Sequence, residues 1–400
     1  MRELTDSGVE WVGVIPTTWS MRQAGQLADQ TKTPNEGLKE TNLLSLSYGK
    51  VKRKDINTTE GLLPASFETY NIVQEGDIVL RFTDLQNDQK SLRVGRAVEK
   101  GIITSAYVTI RPFERIDSRY LYYALHSYDL RKGFYGMGAG VRQGLKWQEA
   151  KYIQIPWPTM AERARIADYL DDKCAEIDRA IEAAEGSIEE ILKYRSSCLE
   201  ETFNRLDGTY PKVKLKYVLE ESKEKSVDGI GEPLSITIAS GVLRSSELEI
   251  PNPASSMVGA KVVRAGDLVF NKLKAYFGVM YVSPYDGLIS SEYAIYRALN
   301  PDALSLKYIE YLVHTNQIID EFIIRISGVA DGFRRLYTSD LFNISITLPP
   351  LRVQERAVRE LNSLYDSVDA SIAVKKSIIA DLKAYKQSLI YEVVTGKREV

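Results

Sequence analysis

Short apolar runs, alternating or continuous, fill most of the chain, and twice they give way to a long helical rhythm. Ile78-Val79-Leu80 after Gly76-Asp77, and Tyr107-Val108-Thr109-Ile110-Arg111, have the length and composition of strands. Counterparts follow at Leu268-Val269-Phe270 after Gly266-Asp267, and at Tyr293-Ala294-Ile295-Tyr296. The spacing predicts a short helix from Ser118 to Ser127 and another from Ser305 to Thr315, each opening on a serine suited to cap first-turn amides. A glycine-rich turn comes next in both places, at 136–140 and 328–332. Prolines 156 and 158, then 349 and 350, close each strand-rich stretch.

Beyond the prolines the period changes. Leu170, Cys174, Ile177, Ile181, Ala184, Ile188, Ile191 and Cys198 recur at the 4-3-4-3 spacing of a heptad seam. Leu361, Leu364, Val368, Ile378, Leu382, Tyr385 and Leu389 repeat that spacing, broken at Ser371 and Lys375. One such helix cannot bury its stripe alone, so the two are expected to pair as an antiparallel coiled coil. A helix of about 42 residues is about 60 Å long, enough to act as a ruler between globular domains.

The elements therefore come twice, in the same order and at a nearly constant offset. Ile103-Thr104-Ser105-Ala106-Tyr107 returns as Ile289-Ser290-Ser291-Glu292-Tyr293, and Tyr120-Leu121-Tyr122-Tyr123 as Tyr308-Ile309-Glu310-Tyr311. The period is far beyond the roughly 20–50 residues of solenoid repeats. The expected fold class is α+β: two tandem globular domains related by a pseudo-two-fold and separated by two long helices forming an antiparallel coiled coil. The expected boundaries are 1–158 for the first domain, 159–205 for the central helix, 206–350 for the second domain and 351–400 for the C-terminal helix.

Bulk numbers change this picture little. Four hundred residues with 44% hydrophobic and 26% charged content suit two ordinary cores. Two cysteines, Cys174 and Cys198, both on the first seam, argue against a disulfide framework. With no apolar signal core at the N-terminus and no run long enough to span a membrane, a cytoplasmic location and no membrane partner are expected. The net charge of −2 hides a partition. Residues 161–203 carry a dozen carboxylates against half as many bases, which leaves the remainder mildly basic. Those bases cluster at Lys50, Lys52, Arg53 and Lys54; Arg93 and Arg96; Arg142 and Lys146; Lys272 and Lys274; Arg334 and Arg335. Such clusters can form a face for phosphates.

Catalytic chemistry is missing from the sequence. His126 and His314 are the only histidines, at equivalent repeat positions, and are expected to be structural. No phosphate loop, dinucleotide fingerprint or Asn-Pro-Pro-aromatic motif is present.

The run from Asp6 to Trp19, DSGVEWVGVIPTTW, the duplicated Gly-Asp strand followed by Ser-x-Tyr, the Pro segments leading through Glu-Arg into long helices, and the closing Leu389-Ile390-Tyr391-Glu392-Val393-Val394-Thr395-Gly396-Lys397 resemble the specificity subunits of Type I restriction–modification systems, the HsdS family. The resemblance spans essentially the whole chain. It implies a non-catalytic subunit that reads a bipartite target in double-stranded DNA, one target-recognition domain per half-site. The helices would dock two methyltransferase subunits, which bring S-adenosylmethionine for adenine-N6 methylation. Restriction subunits using ATP and Mg would join where restriction occurs. No cofactor is expected in this chain. The N-terminal segment is expected to pack near the C-terminal helix. Half-site centres are expected about 34 Å apart, one helical turn.

In the family, loops matching 140–146 and 332–337 face DNA, which makes Arg142, Gln143, Lys146, Arg334 and Arg335 candidates. Base readout favours Arg, Lys, Asn or Gln at strand ends. The segments after the two Gly-Asp strands add Arg81, Thr83, Gln86 and Asn87 in the first domain, and Asn271, Lys272, Lys274 and Tyr276 in the second. These segments differ where their frames agree, as expected of domains reading different half-sites. The rival readings are an enzyme whose active site has no recognisable motif and a duplicated scaffold that reads no DNA.

Overall fold

The computed structural model describes residues 2–57, 66–85, 88, 91–114, 118–137, 144–248, 257–326 and 335–400. The chain divides into two compact units, Met1–Glu185 with Lys376–Val400, and Gly186–Lys375. Both mix strands and helices in an α+β architecture.

In the first unit, a four-stranded antiparallel sheet takes its strands in the order Ala28–Thr31, Val108–Pro112, Ile78–Leu80, Val94–Arg96. The second unit repeats the order with Leu219–Glu221, Ala294–Ala298, Leu268–Phe270 and Met280–Val282. Two-stranded ladders match as well. Leu44–Ser47 with Lys50–Arg53 corresponds to Leu234–Thr237 with Gly241–Arg244. Asn71–Val73 with Gly101–Ile103 corresponds to Lys261–Val263 with Gly287–Ile289. Ser20–Gln23 with Gln154–Trp157 corresponds to Lys212–Lys214 with Ser345–Thr347.

The central Gly-Asp strands are buried on both faces, which is why they read as continuous apolar runs. The pleat sends Val269 and Ile295 toward the hairpin side of the second sheet, where they meet Leu234, Ile236 and Val242. Leu268, Phe270, Ala294 and Tyr296 face the other way, onto the helices. In the first unit Val79 joins Leu44, Leu46 and Val51 in the same manner.

The first short helix runs Ser118–Leu130, slightly longer than the pattern predicts. In the second unit the equivalent helix is Leu306–Leu312, with the Ser305 hydroxyl accepting from the Tyr308 amide at 3.3 Å. It is followed by a separate helix, Asn316–Arg325, that the sequence reading lacked; only Ile318 and Phe322 bury fully, too sparse a stripe to stand out. Tyr120 donates its hydroxyl to the Pro156 carbonyl at 2.7 Å, and Tyr308 to that of Thr347 at 3.0 Å. The repeated tyrosine thus ties each short helix to the strand that leads into a long one.

The long helices are Met160–Leu206 and Leu351–Val394. On the first, Leu170, Cys174, Ile177 and Ile181 are buried, and the seam is as read. On the second the frame is corrected by one residue. Ile378 and Tyr385 are each 47% exposed, whereas Ile372 and Ile379 are buried. The inward positions therefore continue through Leu361, Val368, Lys375, Leu382 and Leu389, alternating with Tyr365, Ile372, Ile379 and Lys386, none of which is exposed. Ser371 is not a break in the seam, because Ile372 fills its layer. In the first unit Lys386 pairs with Asp178 at 2.6 Å and Lys383 with Glu185 at 3.7 Å, so the two helix segments run antiparallel. In the second unit Arg195, on the seam, reaches Asp369 at 3.3 Å and lies over the Tyr365 ring at 5.0 Å.

The two chain ends meet within the first unit, as expected. Leu4–Asp6 pairs with Val14–Pro16, and the buried Val12 carbonyl accepts from Lys397 Nζ at 2.8 Å and Tyr391 Oη at 3.3 Å. Gly396 has φ +72°, and a Cβ there would lie 2.4 Å from Pro16 Cδ. The glycine of the closing motif is thus what lets the opening motif approach.

Candidate nucleic-acid interface

Each central strand ends at the base of a loop, and the same two backbone bonds frame that loop in both units. In the first, the Arg81 amide donates to the Arg93 carbonyl at 2.8 Å and the Leu145 amide to the Phe82 carbonyl at 3.0 Å. In the second, Asn271 donates to Val279 at 2.9 Å and Leu336 to the Lys272 carbonyl at 3.1 Å. The segment after the Gly-Asp strand and the far end of the glycine-rich turn are therefore neighbours twice over. This brings Arg81 and Thr83 beside Lys146, and Asn271 and Lys272 beside Arg335. Gln86, Asn87, Arg142, Gln143 and Arg334 lie outside the described residues.

Inside this frame the candidates have different roles. Arg81 pairs with Asp88 at 3.2 Å. The Asp88 carboxyl is held down at about 2, chiefly by the hydrogen bonds from Ser91, with Arg81 and Arg93 adding to the effect. Thr83 is exposed, and its carbonyl is bound by Arg93 at 2.6 Å. Lys146 is exposed and opens the one-turn helix Trp147–Ala150.

In the second unit Asn271 is buried, and its Oδ1 accepts from the Leu273 and Lys274 amides at 3.1 and 3.2 Å. That oxygen is committed as a cap for the 3-10 turn Lys272–Phe277. Lys274 is exposed, and Tyr276 stands 40% exposed with its ring 4.3 Å from that of Phe277. Arg335 is held by Glu292 at 2.6 Å. Beside it, Lys261 pairs with Glu221 at 3.0 Å, and Glu221 also accepts from Thr338 at 2.7 Å. Lys272 faces this cluster half-buried, and its ammonium pKa is lowered, first by burial and then by the nearby Lys261. An anionic or strongly accepting ligand there would relieve a charge that the fold leaves under-compensated.

The basic clusters sort in the same way. Lys50 is paired with Asp178, Arg53 with Glu99, and Arg96 donates to Ser118 at 2.7 Å. Arg93 is fully buried and cannot contact phosphate. Of the described residues in these clusters, Lys52, Lys146, Lys272 and Lys274 have no ion pair or side-chain hydrogen bond and are open to an anion. Sequence reasoning missed Lys261, Glu221, Glu292 and Thr338, which are scattered over two strands, a turn and a short helix and meet only in the folded chain. His126 is buried and stacks on Tyr122 at 5.3 Å, and the partly buried His314 has its Nδ1 2.6 Å from the Glu310 carbonyl.

No family model matches the chain. It is 21% identical over 314 residues to the Type I restriction enzyme EcoKI specificity subunit of Escherichia coli strain K12, covering 72% of this chain and 67% of that one. It is 20% identical over 422 residues to the putative type I restriction enzyme MjaX specificity subunit of Methanocaldococcus jannaschii, covering 97% and 96%. Among solved structures, a chain described under the structural basis of complex assembly and conformational transition of the type I R-M system superposes with a TM-score of 0.69 at 17% identity, over 96% of this chain and 99% of that one. The HsdS subunit from Thermoanaerobacter tengcongensis gives a TM-score of 0.52 at 17% identity, over 96% and 98%. The structural likenesses establish a shared fold, and the sequence matches, one of them nearly full-length, make the chain similar to Type I restriction–modification specificity subunits of the HsdS kind.

Proposed function

We propose that this chain is the non-catalytic DNA-reading subunit of a Type I restriction–modification complex. Each unit reads one half of a split DNA target, and the paired long helices act as the coiled-coil spacer between them. The chain docks methyltransferase subunits, which carry S-adenosylmethionine, and restriction subunits with ATP and Mg where these are present. The observation that carries the reading is the duplicated loop frame. The same backbone bonds, at Phe82 and at Lys272, hold two loops whose side chains differ. Shared framing with divergent side chains is what one scaffold needs to read two unlike sequences. Lys146 in one unit, and Lys272 and Lys274 in the other, are the candidate contacts with phosphates or base edges.

The test is a methylation map of a genome in a host expressing this chain with its methyltransferase partner. N6-methyladenine at one split motif, lost when this chain is omitted, is the expected result. An assembled, active complex that methylates no such motif would favour the scaffold reading. In the same assay Lys272→Ala should relax or weaken the second half-site only, by about 1–3 kcal/mol if the lysine reads a base. Loss at the first half-site would reverse the assignment of units to half-sites.

A further inference from the structure

Among the described residues Arg93 is one of the largest fully buried side chains, and its guanidinium is spent on carbonyl oxygens of the loop. Nη1 donates to the Thr83 carbonyl at 2.6 Å and lies 3.4 Å from that of Arg81. Nη2 donates to the carbonyls of Asp84, at 3.2 Å, and Asp88. Nε reaches the Tyr135 hydroxyl at 3.3 Å, and that hydroxyl in turn lies 3.3 Å from the carbonyls of Asp88 and Ser91. The Arg93 backbone is fixed as well. Its carbonyl accepts from Arg81, and its amide donates to Asp129 on the helix Ser118–Leu130.

These oxygens lie beyond the strand Ile78–Leu80, and the Asp84 carbonyl also accepts from the Asp88 amide at 3.2 Å. Asp84 has φ +60°, so the chain turns sharply where the strand ends. Buried carbonyls without a donor would cost the loop its conformation. A guanidinium offers five donors in a rigid planar fork, which can serve several carbonyls at once. An ammonium presents its three donors from a single point and cannot span the same set.

The repeat sharpens the point. Val279 occupies the place of Arg93 in the second unit, also buried, its carbonyl accepting from Asn271 as Arg93's does from Arg81. There the loop is organised from the opposite side, by the Asn271 side chain capping amides. One loop is held by its carbonyls and the other by its N–H groups.

Resting on the DNA-reading function proposed above, we infer that Arg93 is a positioning residue for recognition of the first half-site. It fixes the backbone of 81–84 and 88 so that the side chains of this loop meet base edges in one register, and the second unit does not depend on it.

The experiment compares complexes of the full chain with its methyltransferase partner, carrying wild type, Arg93→Lys or Tyr135→Phe, on DNA libraries randomised in one half-site at a time. Arg93→Lys keeps the charge and is expected to lower discrimination at the first half-site by about tenfold or more. The second half-site and the spacer should stay as in wild type. Tyr135→Phe removes one arm of the network and should lower first-half discrimination in the same direction by a smaller factor. Wild-type discrimination in Arg93→Lys, or equal loss at both half-sites, overturns the inference. If Arg93→Lys fails to assemble, an unchanged first half-site in Tyr135→Phe overturns it. A wild-type complex that selects no split sequence would instead sink the proposed function itself, so the two failures are distinguishable.

Discussion

Asp77 and Asp267 explain why the Gly-Asp pair occurs twice. Each carboxylate is buried, caps its own turn by accepting from the amide of Gln74 or Arg264, and takes a bidentate pair from an arginine on the neighbouring strand, Arg111 or Arg297, at 2.7 to 2.9 Å. The preceding glycine has φ +89° or +93°, a conformation that would strain other residues. Two other buried groups sit on the helix Ser118–Leu130 with opposing titrations. Burial pushes His126 down to about 4, with Lys386 adding to the shift while Asp178 and a bond to the Val94 backbone oppose it, and its Nδ1 has no partner. Burial raises Asp129 to about 6 against the pull of Arg93 and Lys132, and its Oδ1 has none. For His126 the unfolded chain binds the extra proton, so its contribution is lost as pH falls from 6.5 towards 4. For Asp129 the folded chain holds the extra proton, so its contribution is lost as pH rises from 3.8 through 6. The two nearly cancel between pH 4 and 6. His126→Phe, which keeps a ring against Tyr122, should unmask Asp129. Relative to wild type, its unfolding free energy should rise by about 2–3 kcal/mol on going from pH 6.5 to 4. Asp129→Asn should shift the other way. Chemical denaturation at three pH values checks the signs.

At the level of elements, the strands and long helices were legible because each has a period of its own. Ile78-Val79-Leu80 and Leu268-Val269-Phe270 read as strands since both faces are covered. The frame of the second long helix was not legible. Ile378 and Ile379 are adjacent isoleucines, and spacing alone lets either serve as the seam residue. What decides it is the partner surface, which leaves Ile379 8% exposed and Ile378 47% exposed. Ile379→Ala should therefore cost about 2–4 kcal/mol, and Ile378→Ala about 0.5 kcal/mol or less. Thermal melts of the two variants separate the frames, and a larger loss for Ile378→Ala would restore the first one. The helix Asn316–Arg325 escaped notice for a related reason. Its exposed Ile323 and Ile324 blur the apolar stripe that Ile318 and Phe322 define.

For the whole molecule, the duplication was plain in the order of its motifs, whereas the composition of the interface was not. A basic residue in sequence carries no label for its partner. Arg93 and Lys272 look alike on the page, yet one is spent inside a loop and the other faces a cluster whose own charges are already paired. That distinction depends on which strands pair, so it appears only once the chain is folded. The proposed spacer role leads to a prediction at this scale. Four residues inserted into each long helix, after Ile188 in the first and at the facing position in the second, lengthen each by about 6 Å. A four-residue insertion is a stutter, which a heptad seam absorbs by local unwinding while the apolar stripe stays continuous. If the helices set the distance between the two reading loops, the methylated motif should keep both half-site sequences and gain one or two base pairs of spacer, at about 3.4 Å per pair. The methylation map reads both quantities at once. An unchanged spacer in an active complex would mean that something other than helix length sets it, and altered half-sites would mean that the insertion had reached the loops.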